Sequence, residues 1–97
     1  VFVQIIEFNT KRFAEGSQHV ADWRTATEGK RTAKRSVVCK DRDNPDRYLN
    51  MVFFDSYEDA MRNSELPETQ RLAEQLSKLA DGPAVFRNLE VIDEWQD

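Results

Sequence analysis

The sequence predicts an α+β domain of ferredoxin-like order, β-α-β-β-α-β, and three observations predict it. Short β-branched and aromatic runs recur four times along the 97 residues. Two longer stretches of helical periodicity separate the first run from the second and the third from the fourth. Turn residues punctuate the junctions. In this order the four strands form one antiparallel sheet and both helices pack on one face of it. The length fits a single domain over 1–97.

The first strand is "VFVQIIEF", Val1 to Phe8, and it ends at Asn9-Thr10. A helix follows over Lys11 to Thr27. Phe13, Val20, Trp23 and Thr27 fall in one stripe, and Gly29 stops it. Gly16 weakens that helix by about 1 kcal/mol relative to alanine, so a close approach by a strand or a ligand is expected there. "AKRSVVCKD" and "RYLNMVFFD" form a hairpin, Lys34–Asp41 with Arg47–Phe54, joined by "RDNPD". Ser56 caps the next helix, with Glu58 and Asp59 in its first turn. "DGP" ends the helical region, and "AVFRNLEVIDEW" reads as the last strand.

The second helical region contains Pro67, which would remove a hydrogen bond and clash with the preceding turn if it lay mid-helix. It is tolerated at the first position of a new helix, so two helical pieces meet near Glu65-Leu66. Leu72, Leu76 and Leu79 supply the buried stripe of the second piece.

Composition excludes several classes. No apolar run reaches the ~18 residues that span a membrane. The net charge of −4 argues against general nucleic-acid binding. No signal-peptide pattern opens the chain, and Cys39 is the only cysteine; a cytoplasmic location is expected. Lys30, Arg31, Lys34 and Arg35 form a basic cluster without interleaved aromatic residues, which reads as a solvated loop and strand edge. Asp41, Asp43 and Asp46 lack the glycine and closing glutamate of a calcium loop. No nucleophile motif or phosphate-binding glycine loop occurs. No cofactor or metal is expected.

The strands are apolar on both sides. Val1, Val3 and Ile5 oppose Phe2, Ile6 and Phe8; Leu49, Met51 and Phe53 oppose Val52 and Phe54; Val85, Leu89 and Val91 oppose Phe86 and Ile92. Two helices cover one face only, and the other would expose a patch larger than monomers usually tolerate. A twofold homodimer packed sheet on sheet solves this.

The order of elements, the apolar sheet and the stretch "FFDSYEDAMRNSELPETQRLAEQLSKLADGPAVFRNLEV" resemble the antibiotic-biosynthesis-monooxygenase group of dimeric α/β-barrel proteins. The resemblance covers essentially the whole chain. It implies a homodimeric barrel that binds a small apolar or aromatic molecule. Known activities in the group include cofactor-independent oxygenation of polyketide quinones, haem degradation and autoinducer processing. The haem-degrading pattern needs a strand-one asparagine, a tryptophan and a ligating histidine; Ile5, Asn63 and Gln75 stand at those places here. Haem degradation is therefore not expected.

The quinone-oxidising branch needs a pocket, a base and donors for a developing oxyanion. The candidates are His19, Trp23, Asn63 and Arg87. Each has a structural alternative: His19 as a boundary histidine in water, Trp23 as core, Asn63 as a cap at the helix break, and Arg87 as an ion-pair partner of Glu7 or of a partner chain. Cys39 has no base partner in sequence and reads as core or interface. The resemblance implies cofactor-independent oxygenation or isomerisation. The competing reading is a non-catalytic ligand-binding, structural or stress-related dimer.

Overall fold

The computed structural model describes residues 1–97. The elements are β1 (Phe2–Asn9), α1 (Phe13–Ala26), β2 (Arg35–Lys40), β3 (Arg47–Phe54), α2 (Tyr57–Glu65), α3 (Pro67–Ser77) and β4 (Val85–Glu90). The sheet order is β2-β3-β1-β4, and every pairing is antiparallel. This is the expected ferredoxin-like arrangement, with the second helical region divided as Pro67 requires.

Local chemistry sets the boundaries. In the β2–β3 turn, Asp41 Oδ1 accepts from the Asp43 N–H at 2.8 Å, and the Asn44 carbonyl accepts from the Arg47 N–H at 3.0 Å. Ser56 is extended and its Oγ accepts from the Asp59 N–H at 3.1 Å, which starts α2. Leu66 is held at φ −60°, ψ 133°, the extended region that a following proline enforces. It closes α2 and opens α3 at once, so the chain turns on a single residue. Gly29 and Gly82 carry the two positive φ angles, 80° and 94°, in the turns after α1 and α3.

The helices lie over the sheet face that carries Phe2, Phe8, Tyr48 and Phe54. Phe2, Phe54 and Ala60 form the buried core, with Ala33, Val52 and Met61 packed against it. Tyr57 meets Phe2 edge-on at 5.5 Å, and Phe13 stacks on Tyr48 at 4.3 Å. The contact is uneven along the layer. Helix α2 approaches β1 and β3 closely, whereas no Cα of α1 or α3 comes within 8 Å of a strand Cα. Those two helices pack on each other, and α1 meets the sheet through the Phe13 ring on Tyr48. A Cβ at Gly16 would lie 3.3 Å from Leu76 Cδ2, so it is helix α3, rather than the expected strand or ligand, that makes the close approach at this glycine.

Three sequence expectations are revised. Leu72, Leu76 and Leu79 are half-buried, because the seam between α1 and α3 is only two helices wide. The last strand stops at Glu90. The Val91 N–H still reaches the Val1 carbonyl at 3.0 Å, but beyond it β1 has no residue left to pair, and Ile92 is 96% exposed. Cys39, read as core or interface, is exposed on edge strand β2, which removes the core half of that reading.

Pro67→Ala should fold normally and change stability by no more than ~1 kcal/mol, since the first helical position needs no N–H partner. Urea denaturation measures this. A loss of several kcal/mol would show that the proline ring does more than begin α3.

Candidate functional site

Register fixes which strand residues face the helix layer. Two adjacent rows cross all four strands on that side. One runs Ser36, Val52, Gln4, Asn88, and the next runs Val38, Asn50, Ile6, Phe86. No Cα of α1 or α3 lies within 8 Å of a Cα of these rows, which form the floor beneath the helix layer. Phe86 is 60% exposed and Val38 47% exposed, although both lie on the helix-facing side. Within the floor, Gln4 Nε2 donates to Asn88 Oδ1 at 3.2 Å, and Ser36 Oγ donates to Asn50 Oδ1 at 2.8 Å.

A polar clasp closes one end of the helix layer, where the α1–β2 connection crosses the α2–α3 corner. Asn63 is 7% exposed, and its Oδ1 accepts from the Thr32 N–H at 3.3 Å. Thr32 Oγ1 donates to the Asp59 carbonyl. Trp23 Nε1 donates to Thr69 Oγ1 at 2.9 Å across the α1–α3 seam. Thr27 is 0% exposed and donates from Oγ1 to the Trp23 carbonyl at 2.7 Å. Arg31 donates to the Arg24 carbonyl at 2.7 Å while its guanidinium sits 5.7 Å from the Trp23 ring centre.

The clasp accounts for much of the basic cluster. Lys30 pairs with Glu68 at 2.6 Å, and Lys34 with Asp55 at 3.7 Å. Arg31 satisfies the C-terminal end of α1, and Arg35 lies 5.1 Å from the Phe53 ring. These cations are engaged internally, which supports the structural reading over an anion site. The Lys30 hydrogen bond, followed by the bond from the Glu68 backbone N–H, holds the Glu68 carboxyl below its usual range.

The four candidate residues occupy three places. His19 and Trp23 line a small groove of about 170 Å³ between α1 and α3, with Asp22, Glu68, Arg71 and Gln75 around it. Asn63 belongs to the clasp. Arg87 pairs in register with Ile5 on the opposite face of the sheet, and its Nη1 lies 3.8 Å from Glu7 Oε1, the ion pair foreseen for it. Ile5 thus points away from the helices as well. A larger hollow, about 320 Å³, lies beside Phe2 and Tyr57, but Asp55, Glu58 and Glu90 rim it, which suits an apolar ligand poorly.

Sequence reasoning missed Gln4, Ser36, Asn50 and Asn88. The signal was present. In β1 and β3 the alternation puts an amide between apolar neighbours on the side that becomes the helix-facing one. Only the register shows that the strands bring these polar positions together.

No family model matches the chain, and no curated protein matches it. Solved structures do. Together, the antiparallel sheet and the stand-off helix pair define the fold found in antibiotic-biosynthesis-monooxygenase proteins. The chain is similar to SnoaB, a cofactor-independent oxygenase from Streptomyces nogalater: TM-score 0.82, 14% identity, covering 99% of this chain and 97% of that one. It is similar to Rv0793 from Mycobacterium tuberculosis: TM-score 0.78, 15% identity, 98% of each chain covered. An antibiotic biosynthesis monooxygenase matches with TM-score 0.77 at 8% identity, covering 96% of this chain and 100% of that one. The ferredoxin-like α+β fold of the chain implied by the sequence resemblance is thereby borne out.

Asn63→Ala should destabilise the protein by about 1–3 kcal/mol, because it leaves the Thr32 N–H without its acceptor. Asn63→Asp, which keeps an acceptor, should recover most of the loss in thermal melts. An alanine variant as stable as the parent would remove Asn63 from the clasp.

The Glu68 carboxyl sets a pH signature. Its folded value lies below the unfolded one, so its contribution is full above the ordinary glutamate range near ~4.3 and lost as pH falls through the depressed value. Lys30→Met should therefore flatten the acid limb of the stability profile relative to the parent. Parallel profiles below about pH 4.5 would refute the coupling.

Proposed function

We propose that the chain is a homodimeric, cytoplasmic small-molecule-binding protein that carries out cofactor-independent monooxygenation of an aromatic or polyketide-like substrate in the cleft between helices and sheet. The observation that carries this reading is the stand-off of α1 and α3 above an exposed floor of apolar and neutral polar side chains. Such a floor suits a flat, largely apolar ligand that a few polar groups orient. The fold shared with SnoaB, described as a cofactor-independent oxygenase, supports the choice of chemistry.

In this chemistry the electron-rich substrate itself reduces dioxygen. The protein contributes orientation, exclusion of water and hydrogen-bond donors for the developing oxyanion. Two sheets packed through their helix-free faces would cover Val3, Ile5, Met51, Phe53 and Leu89, and would close the cleft layer from below. A second reading, a non-catalytic ligand-binding or structural dimer, draws support from one specific observation. Asn63 and the Trp23 N–H are both engaged within the protein, where they support packing rather than a reacting group.

Two measurements test the proposal. Light scattering at micromolar concentration should give twice the 11.3 kDa chain mass; a monomer that still unfolds cooperatively would refute the dimer. With anthrone as probe, the protein should accelerate conversion to anthraquinone, consuming one dioxygen and releasing one water per anthrone, with no added flavin or metal and in the presence of a chelator. Anthrone that binds without any dioxygen uptake above background would establish the non-catalytic reading instead.

A further inference from the structure

We infer that the outer side of the α1–α3 seam is a separate binding site. Its ligand is a small zwitterion with an ammonium and a carboxylate on an apolar body, the chemistry of a free α-amino acid.

The site faces away from the sheet. Phe13 marks the inner side of α1, because its ring stacks on Tyr48 of β3. At about 100° per residue, His19, Asp22 and Ala26 lie roughly 120° to 180° round the helix from Phe13. Those three line the groove of about 170 Å³ whose facing wall is α3. The groove therefore opens on the outer surface of the helix layer.

Its walls carry opposite charges that do not meet. Gly16 lies against Leu76 and Trp23 against Thr69, so α1 and α3 run antiparallel. That order sets Asp22 and Arg71 near one level on opposite walls. They do not come within the ~4 Å of an ion pair, with each other or with any other charged group. Asp22 Oδ1 accepts from the Gln18 amide at 3.0 Å, which leaves Oδ2 free. The other side-chain bonds at the groove are those of Trp23 with Thr69 and of Lys30 with Glu68. Arg71, Gln75 and His19 make none, so their polar groups are available. The clasp fixes the two helices, and with them the distance between the unpaired acid and the unpaired base.

Charge and size narrow the occupant. The Glu68 charge is already met by Lys30 at one end of the groove. A simple cation would face Arg71 and a simple anion would face Asp22, each at a Coulombic cost. A zwitterion meets both: its ammonium donates to Asp22, and its carboxylate takes the planar fork of Arg71. Half-buried Leu72 and Trp23 give its apolar part a surface. The volume falls below the ~300–1,000 Å³ of drug-sized pockets, which limits the occupant to about the size of one amino acid.

The test uses L-leucine, with L-leucinamide as the cation alone and 4-methylpentanoate as the anion alone. In ¹⁵N spectra at pH 7, millimolar leucine should shift the indole signal of Trp23, while that of Trp95, in the exposed tail, stays in place. Both analogues should bind at least fivefold more weakly. Asp22→Asn and Arg71→Gln alter exposed side chains, so both should melt with the parent, and each should weaken leucine binding at least fivefold. Leucine that leaves the Trp23 signal unmoved at tens of millimolar overturns the site. An analogue or a variant that binds within fivefold overturns the zwitterion as its ligand. The groove lies on the other side of the helix layer from the proposed oxygenation, which stands or falls separately by dioxygen uptake.

Discussion

The structure depends on the corner at Leu66-Pro67. A continuous helix from Tyr57 to Ser77 would lie along one line over the sheet. Leu66, held extended by the proline that follows, redirects the chain within one residue. Helix α2 can then press Ala60 and Met61 onto Phe2 and Phe54, while α3 leaves the sheet and pairs with α1. The helix layer is anchored by α2 on Phe2 and Phe54 and by Phe13 of α1 on Tyr48, and no Cα of α1 or α3 comes within 8 Å of a strand Cα. The small buried core and the exposed floor are two consequences of that one turn.

A corner of this kind needs restraint, because α1 and α3 bury little of their own surface. No residue of either helix is fully buried. The polar clasp supplies the restraint. Thr32 reaches both Asp59 and Asn63 of α2, Lys30 reaches Glu68 at the start of α3, and Trp23 reaches Thr69 one residue further on. The connection after α1 therefore ties both sides of the break. Individually these bonds are modest, near 1 kcal/mol net each, and the exposed ion pairs contribute less. Their value is geometric, since they fix α1 against α3 at a distance that side-chain packing alone does not set.

Much of the fold was legible in the sequence because backbone rules decide it. Short β-branched and aromatic runs placed the strands, Ser56 and the acidic first turn placed α2, and the fixed φ of Pro67 left only one tolerable position for it. The site was less legible, for a physical reason. Asn63 reads as a cap or as a ligand contact from type and position alone, and only its bond with Thr32, 31 residues away along the chain, distinguishes them. Arg87 read either as a pocket residue or as an ion-pair partner of Glu7, and only the pairing with Ile5 puts it on the far face beside Glu7. The amide rows were invisible because each strand contributes one or two polar residues, and their meaning is a property of register between strands.

The clasp and the floor show opposite uses of the same side chains. In the clasp, buried polar groups are closed onto one another: Thr27 donates within α1, Asn63 accepts from a backbone N–H, and the indole N–H of Trp23 finds a hydroxyl. Such groups hold shape and have little left to offer a ligand. On the floor, neutral amides are only partly engaged and remain open to the cleft. The Pro67 corner joins the two uses: it turns α3 toward α1, where the clasp closes on itself, and leaves the partly engaged amides on the sheet below.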